Sequence, residues 1–159
     1  MEIKIRPATT KDVPYITDLA VDSAPQSIPP TRPLEPSVVK HFRRLDLANL
    51  SNLIGLSHIG IFVAENDEGT ILGHILGYTG DIESVTGDRQ GWIFDLAVKE
   101  EFRGKGIAQK LVNHFNEFVK SAGLSFVGLL VTSSNKPAVN LYEKLGFVEE
   151  RKRMSKKLD

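Results

Sequence analysis

Between Trp92 and Val131 the chain reads strand, basic glycine-containing turn, helix and strand, a succession that admits few folds. Trp92 to Val98 is a β-rich apolar run. After the turn, Ile107, Ala108, Leu111, Val112, Phe115, Phe118 and Val119 recur at the 3.6-residue period of an amphipathic helix, which Gly123 can close. Phe126 to Val131 is then continuously apolar, as expected of a strand buried on both faces. Two strands joined through a helix lie parallel, with a right-handed crossover.

The rest of the 159 residues supplies elements for one domain built around that unit. Ile3 and Ile5 alternate with Lys4 and Arg6, the period of a half-buried strand. Thr10 offers a cap for a helix carrying Val13, Ile16, Leu19 and Ala20 and ending near Ser23. Residues 24–36 contain Pro25, Pro29, Pro30, Pro33 and Pro36 and read as an extended surface loop. Ser37 can cap a second short helix, with an apolar stripe of Val38, Val39, Phe42 and Leu45 and with Lys40, Arg43 and Arg44 pointing away. Residues 59–65 and 70–79 form a hairpin through Asn66-Asp67-Glu68-Gly69, and a polar loop covers 83–90. A last helix runs from about Lys136 to Leu145, stops at Gly146, and is followed by a terminal strand from Phe147 and a basic tail. The expected order is β-α-α-β-β-β-α-β-α-β, an α/β fold.

Composition removes several function classes. There is no cysteine, which excludes a disulfide framework, a zinc finger, an iron–sulfur cluster and a thiol nucleophile. His41, His58, His74 and His114 show no ligand spacing, so no metal is expected. Lys+Arg and Asp+Glu number 20 each, a balance that asks for neither nucleic acid nor a membrane surface as partner. The N-terminus lacks the apolar core of a signal peptide, and no run approaches a membrane span, so the expected location is cytoplasmic.

Two places can carry chemistry. The strand ending Leu96-Ala97-Val98 runs through Arg103-Gly104-Lys105-Gly106 directly into the helix beginning Ile107-Ala108. Such a junction leaves backbone N–H groups unpaired at the positive end of a helix dipole, where an anion such as phosphate can bind. Gly104 and Gly106 allow close backbone approach, and Arg103 and Lys105 add charge. The second place is Asn135 to Phe147. Asn135 can cap a helix whose Tyr142 follows seven residues later, about 10 Å along the axis on the same face.

Together these residues carry a family resemblance. Arg103, Gly106 and Ala108, in the spacing Arg-x-x-Gly-x-Ala after Leu96-Ala97-Val98, resemble the acyl-CoA motif of the GNAT N-acetyltransferases. Asn135 with Leu141-Tyr142-Glu143-Lys144-Leu145-Gly146-Phe147 is similar to that family's second motif, in the same order along the chain. The resemblance implies a mixed, mostly antiparallel central sheet with a parallel β-α-β acyl-CoA unit, flanked by helices, and makes 24–58 the variable, substrate-facing segment. It implies acetyl-CoA as co-substrate. The backbone of Leu96, Ala97 and Val98 would pair with the pantetheine arm, Arg103, Gly104, Lys105, Gly106, Ile107 and Ala108 would hold the pyrophosphate, and Asn135 would touch the arm. The strands at 92–98 and 126–131 would splay apart to admit the thioester, with a backbone N–H near Val98 as oxyanion donor and Tyr142 as general acid.

The resemblance further implies an amine of a small molecule or peptide as acceptor, and leaves a homodimer open. In some family members that acetylate protein N-termini a Glu lies five positions before the Asn, whereas here that position is Leu130. Glu83 and Asp95 are the substitute bases, but Asp95 has the wrong strand parity and needs a bulge to turn inward. Two activities fit these residues: an N-acetyltransferase, or a non-catalytic acyl-CoA-binding module of the same fold.

Overall fold

Alternation along the strands gives the sheet two apolar faces, and the helices cover one each. The computed structural model describes residues 2–159 and contains a five-stranded open sheet in the order β1-β2-β3-β4-β5. β1 (Ile3–Pro7), β2 (Ile59–Asn66), β3 (Ile71–Ile82) and β4 (Arg89–Val98) pair antiparallel in succession, and β5 (Val127–Leu129) joins β4 in parallel. The mixed, mostly antiparallel sheet with its β-α-β unit is thus as the sequence indicates.

Phe62, Ala64, Ile75 and Ile93 point to the face covered by α4 (Ile107–Ser121), which buries Leu111, Val112, Phe115 and Val119 against them. Small residues let that helix come close. A Cβ at Gly77 would stand 2.5 Å from the Phe115 ring, and one at Gly91 would stand 2.3 Å from Val119. On the opposite face, Ile61, Val63 and Leu76 meet Ile16 and Ala20 of α1 (Val13–Ser23) together with Leu47 and Leu50, the latter on a short α3 (Leu50–Leu53). The last helix, α5 (Lys136–Lys144), follows β5.

Four sequence expectations change. The first helical turn is capped at Thr9, not Thr10: the Thr9 backbone N–H and hydroxyl both donate to Asp12, 2.7 and 2.9 Å away. Second, α2 (Pro36–Asp46) starts at a proline, whose missing N–H costs nothing in a first turn, so Glu35 and not Ser37 precedes it.

The third change is the facing of α2. Val39, Lys40 and Arg43 are its half-buried residues, while Val38, Phe42 and Leu45 are 53%, 68% and 61% exposed. Its basic residues fasten it: Lys40 pairs with Asp22 and Arg44 with Asp18 on α1 at the surface, and Arg43 reaches inward to Asp95 on β4. An apolar stripe normally faces the core, but here the surface beneath the helix presents carboxylates. Fourth, the strand at 126–131 shrinks to three residues, and no strand forms after Phe147. Val148 is 82% exposed and is followed by Glu149-Glu150-Arg151-Lys152-Arg153, which has no apolar alternation to bury.

Asp12 ties β1 to α1. Its carboxylate accepts from Arg6 at 2.8 and 3.0 Å as well as from Thr9, and is held at a pKa of about 2 chiefly by the Arg6 hydrogen bond, which with Thr9 outweighs the effect of burial. Because this folded value lies below the ordinary ~3.9, the stabilisation is complete above about pH 4 and is lost as pH falls towards 2. Asp12→Asn is expected to cost about 2–3 kcal/mol at pH 7 in urea denaturation. The wild-type and variant stabilities should converge between pH 4 and 2; a constant gap across that window would show that the carboxylate is not the source.

Candidate active site

β4 and β5 hold together at only three positions, Gly91 with Val127, Trp92 with Gly128 and Ile93 with Leu129. Gly128 belongs there because a Cβ would stand 2.9 Å from the Trp92 ring. Beyond Ile93 the strands diverge, and the edge of β4 from Phe94 to Val98 has no strand partner on that side. This is the splay expected from the resemblance. An unpaired strand edge offers backbone donors and acceptors to an extended ligand arm, and Leu96, Ala97 and Val98 lie on it.

The divergence starts at a bulge. Leu76 faces Asp95 across the β3–β4 ladder but Gly77 faces Ile93, so Phe94 is the extra residue on β4. Phe94 is 41% exposed, and the bulge turns Asp95 to the face beneath α2, which removes the parity objection. There His74 Nε2, on β3, donates to Asp95 Oδ2 at 2.6 Å, and Arg43 donates to Oδ1 at 3.1 Å while its guanidinium lies 5.1 Å from the Phe94 ring centre. His74 is fully buried, and its Nδ1 has no hydrogen-bonding partner among the described residues. Burial acts to raise the Asp95 carboxyl, but the hydrogen bond from His74, then the electrostatic pull of His74 and of Arg43, outweigh it and keep its pKa below the ordinary range.

Asp95 acts on Tyr142. The Tyr142 hydroxyl is pushed up to a pKa of about 12, by burial first and by the nearby Asp95 charge second, so it stays protonated at neutral pH. Its ring packs edge-on against Phe147 with centres 5.7 Å apart. Asn135 precedes α5 as its cap, accepting from the Ala138 N–H at 3.4 Å, so the two residues sit two turns apart on one helix face.

At the end of β4, a short 3-10 turn over Glu100–Phe102 leads into Arg103-Gly104-Lys105-Gly106. Gly104 and Gly106 both take left-handed backbone, φ 75° and 76°, and added Cβ atoms there would meet no atom within 4 Å, so the constraint is conformational and the space above the turn is open. Gly106 is the residue that caps α4, no side chain caps that helix end, and its first turn carries no acidic residue. The first N–H groups of α4, including those of Ile107 and Ala108, therefore point at the open side of the turn with the positive end of the dipole behind them. Arg103 spends Nε on the Val98 carbonyl at 3.0 Å and keeps its two terminal amino groups, while the Lys105 ammonium rests 4.9 Å from the Phe102 ring centre.

The structure thus presents a free strand edge at 96–98, an open turn at 103–108 leading from it, and on α5 the cap Asn135 and Tyr142, the latter within reach of the Asp95 charge on β4. Glu83 is elsewhere: its carboxylate accepts from the Val85 and Thr86 N–H groups and pairs with Arg151, and its pKa is drawn down to about 2, first by the Thr86 N–H. It belongs to the β3–β4 turn and is unsuited to act as a base. His74 and Arg43 escape the sequence reading, because a cross-strand neighbour is visible only once the register and the bulge are known. Among the described residues there is no group of side chains that could hold a metal ion and no helix long and apolar enough to cross a membrane.

The Acetyltransferase (GNAT) family profile matches residues 30–147, the part containing the strand edge, the turn and α5. The chain belongs to the GNAT acetyltransferase family. Among individual relatives of this GNAT chain, an N-alpha-acetyltransferase of Sulfurisphaera tokodaii is 30% identical over 154 residues, covering 93% of this chain and 81% of the relative. The N-terminal acetyltransferase B complex catalytic subunit NAA20 of Arabidopsis thaliana is 32% identical over 94 residues, 57% of this chain and 51% of the relative. The match spans about half the length of several such relatives. In three dimensions, glucosamine-6-phosphate N-acetyltransferase of Arabidopsis thaliana covers 100% of both chains with a TM-score of 0.67 at 23% identity. A Pyrococcus furiosus structure reaches a TM-score of 0.81 at 23% identity, covering 99% of this chain and 100% of its own. At those identities the structures establish the GNAT fold.

Proposed function

We propose that this GNAT chain is an acetyl-CoA-dependent N-acetyltransferase acting on a primary amine of a small molecule or peptide. The observation that carries this reading is the conjunction of a free β4 edge, an uncapped helix N-terminus following it over two left-handed glycines, and a protonated Tyr142 close enough to Asp95 on β4 to feel its charge. These features suit a long, extended, anionic thioester: the strand edge pairs with its amide arm and the turn at 103–108 takes its phosphates. The amine nitrogen attacks the thioester carbon, forming the C–N bond as the C–S bond breaks. Charge on the carbonyl oxygen falls to backbone donors of the splayed β4, and the departing thiolate receives a hydrogen bond from Tyr142. Asp95 has both oxygens occupied by His74 and Arg43, so it is a positioning residue and the attacking amine loses its proton to water.

The phosphate assignment is tested by calorimetric titration with acetyl-CoA. Gly106→Val puts a β-branched residue at φ 76° and a side chain where a phosphate oxygen must approach the backbone, so it is expected to weaken binding by at least ~10-fold. Lys105→Ala removes one flexible charge, already parked on Phe102, and is expected to cost about 2- to 5-fold. Undiminished affinity in both variants would sink the assignment. Acetyl-CoA binding without acetylation of any amine would point instead to the non-catalytic module.

A further inference from the structure

Resting on the acetyltransferase reading, we infer that the acceptor carries an apolar side chain beside its amino group, and that this side chain is received by a cleft between the α2–α3 segment and the bulged middle of β3 and β4. The cleft has a volume of about 260 Å³ and is walled by Leu47, Leu50, Leu53, Ile59, Leu76 and Phe94. Its place follows from the register. Phe94 is the bulged residue immediately before Asp95, and Leu76 faces Asp95 across the ladder, so the inner end of the cleft abuts the stretch where β4 parts from β5. A group seated there leaves its amine at the point where the strands open.

The lining specifies the class of acceptor. Beyond the six apolar walls the cleft is lined by Gly77, by Asn49 and the Tyr78 phenol as neutral polar groups, and by Asp46 as its charged member, and no lysine or arginine lines it. A phosphate would therefore find no cation in the cleft, and a polyhydroxylated ring would leave most of its hydroxyls facing hydrocarbon. A protonated amine finds a different environment at the mouth. Asp46, a third exposed and paired with Arg43 at 3.1 Å, is the carboxylate an approaching ammonium meets, while Asp95 behind it is taken up by His74 and Arg43. The volume lies below the ~300–1,000 Å³ of pockets that enclose a whole ligand, so it suits one side chain of a larger molecule or of a short amine. The acceptor is thus an α-amine flanked by an aliphatic or aromatic side chain, as in a peptide beginning with such a residue.

Leucinamide and glycinamide carry α-amines of matched basicity and differ in the side chain alone. With saturating acetyl-CoA, kcat/KM for leucinamide is expected to exceed that for glycinamide by at least ~10-fold. Leu53→Trp, at a half-buried wall position, fills the cleft and should bring that ratio towards one; Phe94→Ala, at an exposed wall, should lower it if the tryptophan variant does not fold. Equal efficiency for the two amides overturns the cleft assignment and leaves the acetyltransferase reading intact. If neither amide is acetylated while acetyl-CoA binds, the acetyltransferase reading is judged on the wider set of amines, and the cleft on binding of the unreactive N-acetylleucinamide and N-acetylglycinamide. Tighter binding of the leucine compound by the wild type, lost in Leu53→Trp, supports the cleft; equal binding overturns it.

Discussion

Asp95→Ala is expected to cost about 3–5 kcal/mol of folding stability at pH 7, a large share of what a domain of this size has to lose. The carboxylate is the common acceptor for two donors from different elements, His74 on β3 and Arg43 on α2. Removing it strands a fully buried imidazole with both ring nitrogens unpaired and leaves Arg43 with Asp46 alone. Asp95→Asn keeps the shape and should lose about half as much. Because the folded pKa lies below its unfolded value, this contribution is present above about pH 4 and declines as pH falls further. Urea denaturation measures the loss. A value under about 1 kcal/mol for the alanine variant would mean that the carboxylate is well hydrated and that the His74 and Arg43 contacts are incidental. A second readout separates a positioning role from a purely structural one: without the Asp95 charge the Tyr142 hydroxyl should titrate below about 12, visible in the ultraviolet absorbance of tyrosinate.

Tyr142→Phe should lower kcat for acetyl transfer by at least ~10-fold, with acetyl-CoA affinity within about twofold of wild type. The ring's packing on Phe147 survives, and only the hydroxyl is lost. A thiol near pKa ~8.5 facing a phenol at about 12 makes complete proton transfer uphill by about 5 kcal/mol, so in the proposed reaction the phenol would act as a hydrogen-bond donor that tightens as charge grows on sulfur. A raised pKa is an advantage in that role. It keeps the donor protonated, and kcat should carry no alkaline limb from Tyr142 below about pH 10. Wild-type turnover by the Phe variant under conditions where chemistry limits the rate would reduce Tyr142 to a packing residue.

What the sequence revealed and what it hid divide along a physical line. The glycines at 104 and 106, the Asn135 cap and the seven-residue step to Tyr142 are local patterns, each written within one turn or one helix, and they stand where the spacing puts them. Asp95 is different. Its parity on the strand is correct for an ideal ladder, and only pairing with β3 inserts the bulge at Phe94 that turns it inward. The apolar run at 126–131 is a genuine strand signal, yet Phe126 and Leu130 end 57% and 65% exposed because β4 turns away from them. For α2 the period was legible and the facing was not, since the surface beneath is assembled from α1 and β4, elements distant in sequence.

The way α2 is fastened has a consequence for the solution in which the protein works. Its pairs with Asp18 and Asp22 join groups that are 40% to 71% exposed, the kind that dissolved ions weaken within a Debye length of about 8 Å at physiological ionic strength. The Arg43–Asp95 pair, 23% and 9% exposed, is sheltered from them. Rising salt therefore weakens the attachment of the helix at two points and leaves the third, at Arg43, nearly unchanged. Ionic strength thus acts on how α2 is held, while the turn at 103–106 keeps its geometry from backbone and glycine alone.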